Sequence, residues 1–307
     1  MKTFVSNQKG SITVLTVLAI TVLLAFTALV VDVGFLYVNK AELVNLADAA
    51  ALAGVQDLPG DTAQAEVSGW EYAAQNGRSS DLVEVTVPTN KVVAVTAKRT
   101  VNMTFAKVIG LNSVDVQAKA AAVLRPISSV IGVVPFGVVW QEFVYGTTYA
   151  LKVGAGDGSA GNYDALALGS TGSRTYTDNI KLGYDAKLSI GQWVSTETGN
   201  MSGGTSEGVN YRIGLDPYAT FNTVETDSPR IVIVPLIESI TNDTGRHDVK
   251  IVGFAGFFLE GVAGSGNENL VSGKFMQTVF AGETSGTATD YGVYSAALVP
   301  YESVAAN

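Results

Sequence analysis

The sequence predicts an α+β protein, with one long helix first, a small α+β domain on the end of it, and a larger β-rich, sandwich-like domain after that. Three observations predict this. A helical apolar period runs from Ser11 to about Gln56 with no proline before Pro59. The period then changes to strict alternation beyond Asp81, as half-buried strands require. Finally, 26 of the 33 glycines lie after Arg125, among short apolar runs. The predicted segments are a basic leader at 1–10, the helix at 11–57, the small domain at 58–125 and the β-rich domain at 126–307.

Residues Ser11 to Val31, SITVLTVLAITVLLAFTALVV, form 21 positions without a charge. As a helix they extend about 31 Å, the thickness of a bilayer's hydrocarbon core. Formal charge is +2 over residues 1–10, zero over 11–31, −2 over 32–125 and −9 over 126–307. Lys2 and Lys9 precede the run and all 28 acidic residues follow it. The positive-inside rule therefore places the leader in the cytoplasm and the body outside the membrane. A cleaved secretory signal is the competing reading, but 21 apolar residues is long for one and the sequence continues as helix rather than opening into a cleavage site. A helix from Ser11 to Gln56 would be about 69 Å long. It would project well beyond the membrane, and its Ala-rich end (Ala47, Ala49, Ala50, Ala51, Ala53) offers a smooth face for another helix to approach.

With no Cys and a single His, His247, the chain has no disulfide framework, thiolate nucleophile or zinc–thiolate site. Its acidic surface repels phosphate backbones, so no nucleic-acid partner is expected.

The segment KGSITVLTVLAITVLLAFTALVVDVGFLYVNKAELVNLADAAALAG resembles the N-terminal region of TadG-like proteins of Tad (Flp) pilus systems. The features that carry the resemblance are the Lys-Gly before the apolar run, the Val-Asp-Val-Gly junction at residues 31–34, and the Asn-Leu-Ala-Asp-Ala-Ala-Ala-Leu-Ala-Gly ending. TFAKVIGLNSVDVQAKAAAVL is similar to the end of the small domain in Tad-type pilin-like proteins, so the resemblance covers about residues 10–125. It implies a pilin-like, membrane-anchored envelope protein that self-associates or meets other Tad pilus components, without catalysis or a cofactor. The residues it assigns to the membrane and assembly helix are Leu15, Leu18, Leu23, Leu24, Phe26, Leu29, Asp32, Gly34, Asn45, Asp48, Ala50 and Gly54. One departure stands out: prepilins cut after a Gly carry Glu five residues on, and here that position is Leu15, so processing between Gly10 and Ser11 does not follow from the pattern. Asp32 does not replace that Glu, because it lies where the helix would leave the membrane.

Beyond the helix, Asp61 can cap a second helix ending before Gly77. DLVEVTVP and KVVAVTAKRTV make a hairpin around Pro88-Thr89-Asn90, Thr104 to Ile109 a short helix, and Ser113 to Leu124 a third strand. The β-rich part offers eight candidate strands. Those at Ile231 to Ile237 and Val249 to Leu259 are apolar enough to be buried on both faces.

Four features there could carry chemistry. His247 sits in a polar turn and reads as a loop residue rather than a triad member. Asp157, Asn162 and Asp164 in one turn, and Asn242, Asp243 and Asp248 in another, supply hard oxygens for Ca²⁺, but neither has EF-hand spacing, and solvated turns are the simpler expectation. ETGNMSGGTSEG reads as a long surface loop, since it lacks the Gly-Lys-Ser/Thr ending of a phosphate loop. Tyr176 and Tyr184 read as scattered surface tyrosines. Function thus divides three ways: a pilin-like filament or pilus component, an adhesin-like binding module on a stalk or accessory assembly protein, and an enzyme. The length of the helical pattern favours the first.

Overall fold

A computed structural model describes residues 9–153, 162–198, 201–238, 246–263 and 270–304. The chain forms two compact units. The first comprises residues 1–57, 62–122 and 298–307, and the second 58–61 and 123–297.

The first unit is built on helix α1, Lys9–Gly54, which runs without a break and ends in a 3₁₀ turn, Val55–Asp57. No residue in it is a proline, so no backbone hydrogen bond of the helix is forfeited. Helix α2, Thr62–Asn76, folds back on α1. Strands β1, Leu82–Thr89, and β2, Val92–Asn102, pair antiparallel with Val85 opposite Val95. Strand β3, Ser113–Val130, follows a 3₁₀ turn at Ala106–Ile109 and lies beside β2. The core is one face of α1 (Leu43, Leu46, Ala47, Ala50, Ala51) against α2 and the inward face of β2. The close approach of the helices depends on glycine. A Cβ on Gly54 would lie 2.5 Å from the Ala65 carbonyl oxygen, and one on Gly69 would lie 3.2 Å from that of Ala50. The helix that meets the Ala-rich face of α1 is therefore α2 of the same chain.

The second unit is β-rich. Its main sheet contains β4, Phe136–Val139; β5, Thr148–Val153; and β6, Asn162–Ala165. It is completed by strands β8 to β11 described below, in the order β11-β5-β6-β4-β9-β10-β8. Between β6 and β9 the chain makes α3, Ser173–Leu182; β7, Leu188–Ser189; β8, Trp193–Ser195; and α4, Ser202–Leu215. Strands β9, Ile231–Ile237, and β10, Asp248–Ala263, pair antiparallel at the centre, and every residue of β9 is buried. β11, Leu270–Met276, pairs with both β10 and β5. Short strands β12, Thr278–Val279, and β13, Gly282–Thr284, precede β14, Val293–Val299. β13 and β7 pair with the end of β3, and β12 runs parallel to β14.

The near-continuous apolar sequence of β9 follows from its position between two cores. Val232, Val234 and Leu236 join Phe136, Tyr176, Ile180 and Val209 on one face. Ile233 and Ile237 join Ile127, Val130, Leu188 and Val293 on the other.

Two expectations are corrected here. The glycine-rich stretch expected to be a long surface loop forms helix α4 from Ser202 onward. The segment containing Tyr176, expected at the surface, forms α3 and buries that ring. The physical reason is tertiary. Gly204 and Gly208, one turn apart on α4, lie against α3, where a Cβ would come within 2.4 Å of the Thr177 hydroxyl and 2.5 Å of Ile180 Cγ2. Close packing of the two helices outweighs the poor helix propensity of glycine.

Candidate functional site

Helix α1 divides at Asp32. From Ile12 to Val31 every residue is exposed except Ala28, which is half-buried. Leu15, Leu18, Leu23, Leu24, Phe26 and Leu29 are all exposed. An uncovered apolar surface of this length has no stable place in water. The polar atoms within it are provided for, because the hydroxyls of Thr16, Thr21 and Thr27 donate to the carbonyls of Ile12, Val17 and Leu23 at 2.8–2.9 Å. The helix is long and apolar enough to cross a membrane.

At Asp32 the helix acquires an inner face. The positions Asp32, Leu36, Asn39, Leu43, Leu46, Ala47, Ala50 and Gly54 follow a helical period and are buried or, for Leu36, partly buried. Two polar residues on that face tie the helix to the domain. The Asp32 carboxylate, 4% exposed, accepts the backbone N–H groups of Thr104 and Phe105 at 2.9 Å and of Ala106 at 2.6 Å. It thus fills the start of the 3₁₀ turn with a charged acceptor, where unpaired donors would otherwise converge. Two helical turns further on, Asn39 Oδ1 accepts from Arg99 Nη1 at 2.9 Å, and Asn39 Nδ2 donates to the Phe35 carbonyl.

Arg99 is the centre of the second tie. The alternation Val93, Val95, Ala97, Arg99, Val101 puts its guanidinium on the buried face of β2. There it donates to both oxygens of Asp81, at 2.6 and 2.8 Å, and to Glu42 Oε2 at 2.5 Å. Arg78 adds a contact to the same Glu42 oxygen at 2.7 Å. The hydrogen bond from Arg99 holds the Asp81 carboxyl below the usual range, and Arg99 itself is raised, chiefly by Asp81. Because the side chains of Arg99 and Asp81 are almost fully buried, each depends on the other. Sequence reasoning missed this cluster, although a charged residue in an inward-facing strand position was the available signal.

The remaining helix positions are placed as follows. Gly34 is open, and a Cβ there would meet nothing within 4 Å. Asn45 is exposed, and Asp48 is partly buried, with its carboxyl raised by that burial. Ala50 and Gly54 are inside the unit, against α2.

In the second unit, His247 faces Thr196: its N–H donates to the threonine hydroxyl at 3.2 Å and its Nδ1 is 3.4 Å from the same oxygen. Asp248 accepts from the Ser195 hydroxyl at 2.6 Å across the β8–β10 pair. Asp157, Asn242 and Asp243 lie outside the described residues, as do the side chains of Asn162 and Asp164. Among the described residues no group of three or more His, Asp or Glu side chains is placed to hold a metal ion. Tyr184 is half-buried against the core that contains Leu188.

Residues 10–57 match the family described as "Putative Flp pilus-assembly TadE/G-like". The helix segment is TadE/G-like. The matched stretch is α1 together with its terminal 3₁₀ turn, and so contains both the uncovered apolar run and the inner face that begins at Asp32. No curated protein and no solved structure matches the chain. The family match and the apolar helix together support a pilus-related membrane protein.

Proposed function

We propose that the protein is a non-catalytic, pilin-like structural component of a Tad-type pilus or surface filament. Residues 12–31 of α1 anchor it in the membrane, the exposed side of α1 from this run through Gly34 serves as its helix–helix contact, the leader lies in the cytoplasm, and the β-rich unit is presented outside. The observation that carries this reading is the division of α1: one continuous helix, matched to the TadE/G-like family with its terminal turn over residues 10–57, is exposed at every residue but Ala28 from Ile12 to Val31 and then folds into its own domain. The charge distribution supports the orientation, with Lys2 and Lys9 on one side of the run and every acidic residue on the other.

Because Ala50 is enclosed by its own unit, a test of assembly must change a position the chain leaves free. Gly34 is such a position. A Gly34→Leu variant should keep its fold and membrane insertion, yet lose filaments if neighbouring helices pack on that face, since close packing accepts small residues and not a branched one. Shearing cells and imaging the released material by electron microscopy measures this. Filaments containing wild-type chain and not the variant are expected. Wild-type protein confined to the membrane fraction as a monomer would instead fit an accessory assembly protein or a stalked binding module. The pilus-assembly description of the matched family supports the accessory reading.

A further inference from the structure

The turn that Asp32 holds is apolar at its tip. Val108 is 91% exposed and Ile109 83%, with Phe105 and Leu111 exposed on either side. These side chains do not point away from the bare helix. Phe105, Val108 and Ile109 line a cleft of about 380 Å³ whose other wall is Leu24, Ala25 and Leu29 of α1. Leu24 lies seven residues before Val31, which along a helix is about 10 Å inside the apolar run. The tip therefore sits at the depth of the run and not above it.

The backbone of the turn suits an apolar surrounding. Asp32 accepts three of its N–H groups. Met103 N–H donates to Asn112, Val108 to Phe105, Gly110 to Lys107 and Leu111 to Ala106, at 2.9–3.1 Å. Gly110, with φ of 91°, turns the chain back within one residue. Inside a bilayer each unpaired N–H is costly, so a turn with these donors paired can enter where an ordinary loop cannot. Lys107 is exposed beside the tip, and its long stem lets the ammonium reach the lipid phosphates while the neighbouring residues remain in the acyl region.

We propose that the turn Phe105–Leu111 is a second membrane element, an apolar wedge that enters the leaflet on the domain side beside α1, with lipid acyl chains as its partner. This rests on the reading of residues 12–31 as membrane-spanning. Asp32 then acts as the fastener that sets the wedge's depth and seats the first unit directly on the bilayer surface, rather than on a free stalk.

The chain has no Cys, so single cysteines report cleanly. Variants Ile109→Cys, Leu24→Cys and Val67→Cys of the full chain, the last on exposed α2, would carry a polarity-sensitive fluorophore in vesicles of phosphatidylethanolamine and phosphatidylglycerol. Quencher groups would be placed at known depths along the acyl chains. Quenching at Ile109 comparable to that at Leu24, with none at Val67, is the expected result. Quenching at Leu24 without quenching at Ile109 overturns the wedge while leaving the spanning helix intact. A blue-shifted Ile109 probe that lipid quenchers cannot reach would mean that a second copy covers the tip, and also overturns it. Absence of quenching at Leu24 defeats the spanning reading itself, and the wedge with it.

Discussion

The two parts of α1, residues 12–31 and 32–54, are one helix by backbone and two by environment. In the first every residue but Ala28 is exposed, and its only neighbour among the described residues is the turn at Phe105 to Ile109, across a cleft from Leu24, Ala25 and Leu29. The second alternates faces in the ordinary way of a globular helix, with Leu43, Leu46 and Ala50 inside and Tyr37 and Val44 outside. The change occurs at Asp32, which is buried and whose carboxylate hydrogen-bonds to the turn at Thr104 to Ala106. The lesson is that helix continuity and solvent preference are set separately. The absence of proline keeps the helix unbroken, while the side-chain pattern decides which stretch is left uncovered and which packs on protein.

Substitutions can break or sharpen that contrast. The largest effect is expected at the buried cluster. Arg99→Ala strands Asp81 without its partner and should destabilise the first unit by about 3–5 kcal/mol, read from denaturant unfolding in detergent. The same cluster predicts a pH dependence. Asp81 and Glu42 are held below their ordinary values chiefly by hydrogen bonds from Arg99, so the unfolded chain takes up protons first as pH falls. Stability should be complete above about pH 5 and should be lost progressively below about pH 4 as the pH falls toward the folded-state values. Arg99→Ala should flatten that acid limb, and an unchanged limb would show that other carboxylates govern it.

Leu43→Ala empties a site enclosed on all sides and should cost about 2–5 kcal/mol. Asp32→Ala removes the shared acceptor of three backbone donors and should cost about 1.5–3 kcal/mol, with hydrogen-exchange protection lost first at Thr104 to Ala106. Leu18→Ala, the same kind of truncation as Leu43→Ala on the same helix, should change unfolding in detergent by no more than about 0.5 kcal/mol. Equal losses at Leu18 and Leu43 would erase the contrast between the two parts.

Much of this was readable from local pattern. The uncharged run, the helix continuing to Gly54, the hairpin of β1 and β2, and central strands β9 and β10 all follow from spacing within a dozen residues. Helices α3 and α4 do not, because Gly204 and Gly208 argue against a helix until the surfaces of Thr177 and Ile180 are known to lie beside them. The site divides the same way. Asp32 is visible as a charge at the end of an apolar run, but its partners lie 72–74 residues away. Arg99 likewise meets Asn39 and Glu42 across some sixty positions. Local sequence marks such residues as costly to bury and leaves unstated what compensates them.

The central claim is that the environment of α1 changes from lipid to protein and water at Asp32. A cysteine scan along the helix in intact, wall-stripped cells, probed with a membrane-impermeant maleimide, tests it most directly. Positions Leu15, Leu18, Leu24 and Leu29 should resist the reagent, while exposed positions Tyr37, Ala41 and Val44 should react from outside the cell. Labelling at Leu24 as rapid as at Val44, or protection at Val44 equal to that at Leu24, would contradict the account.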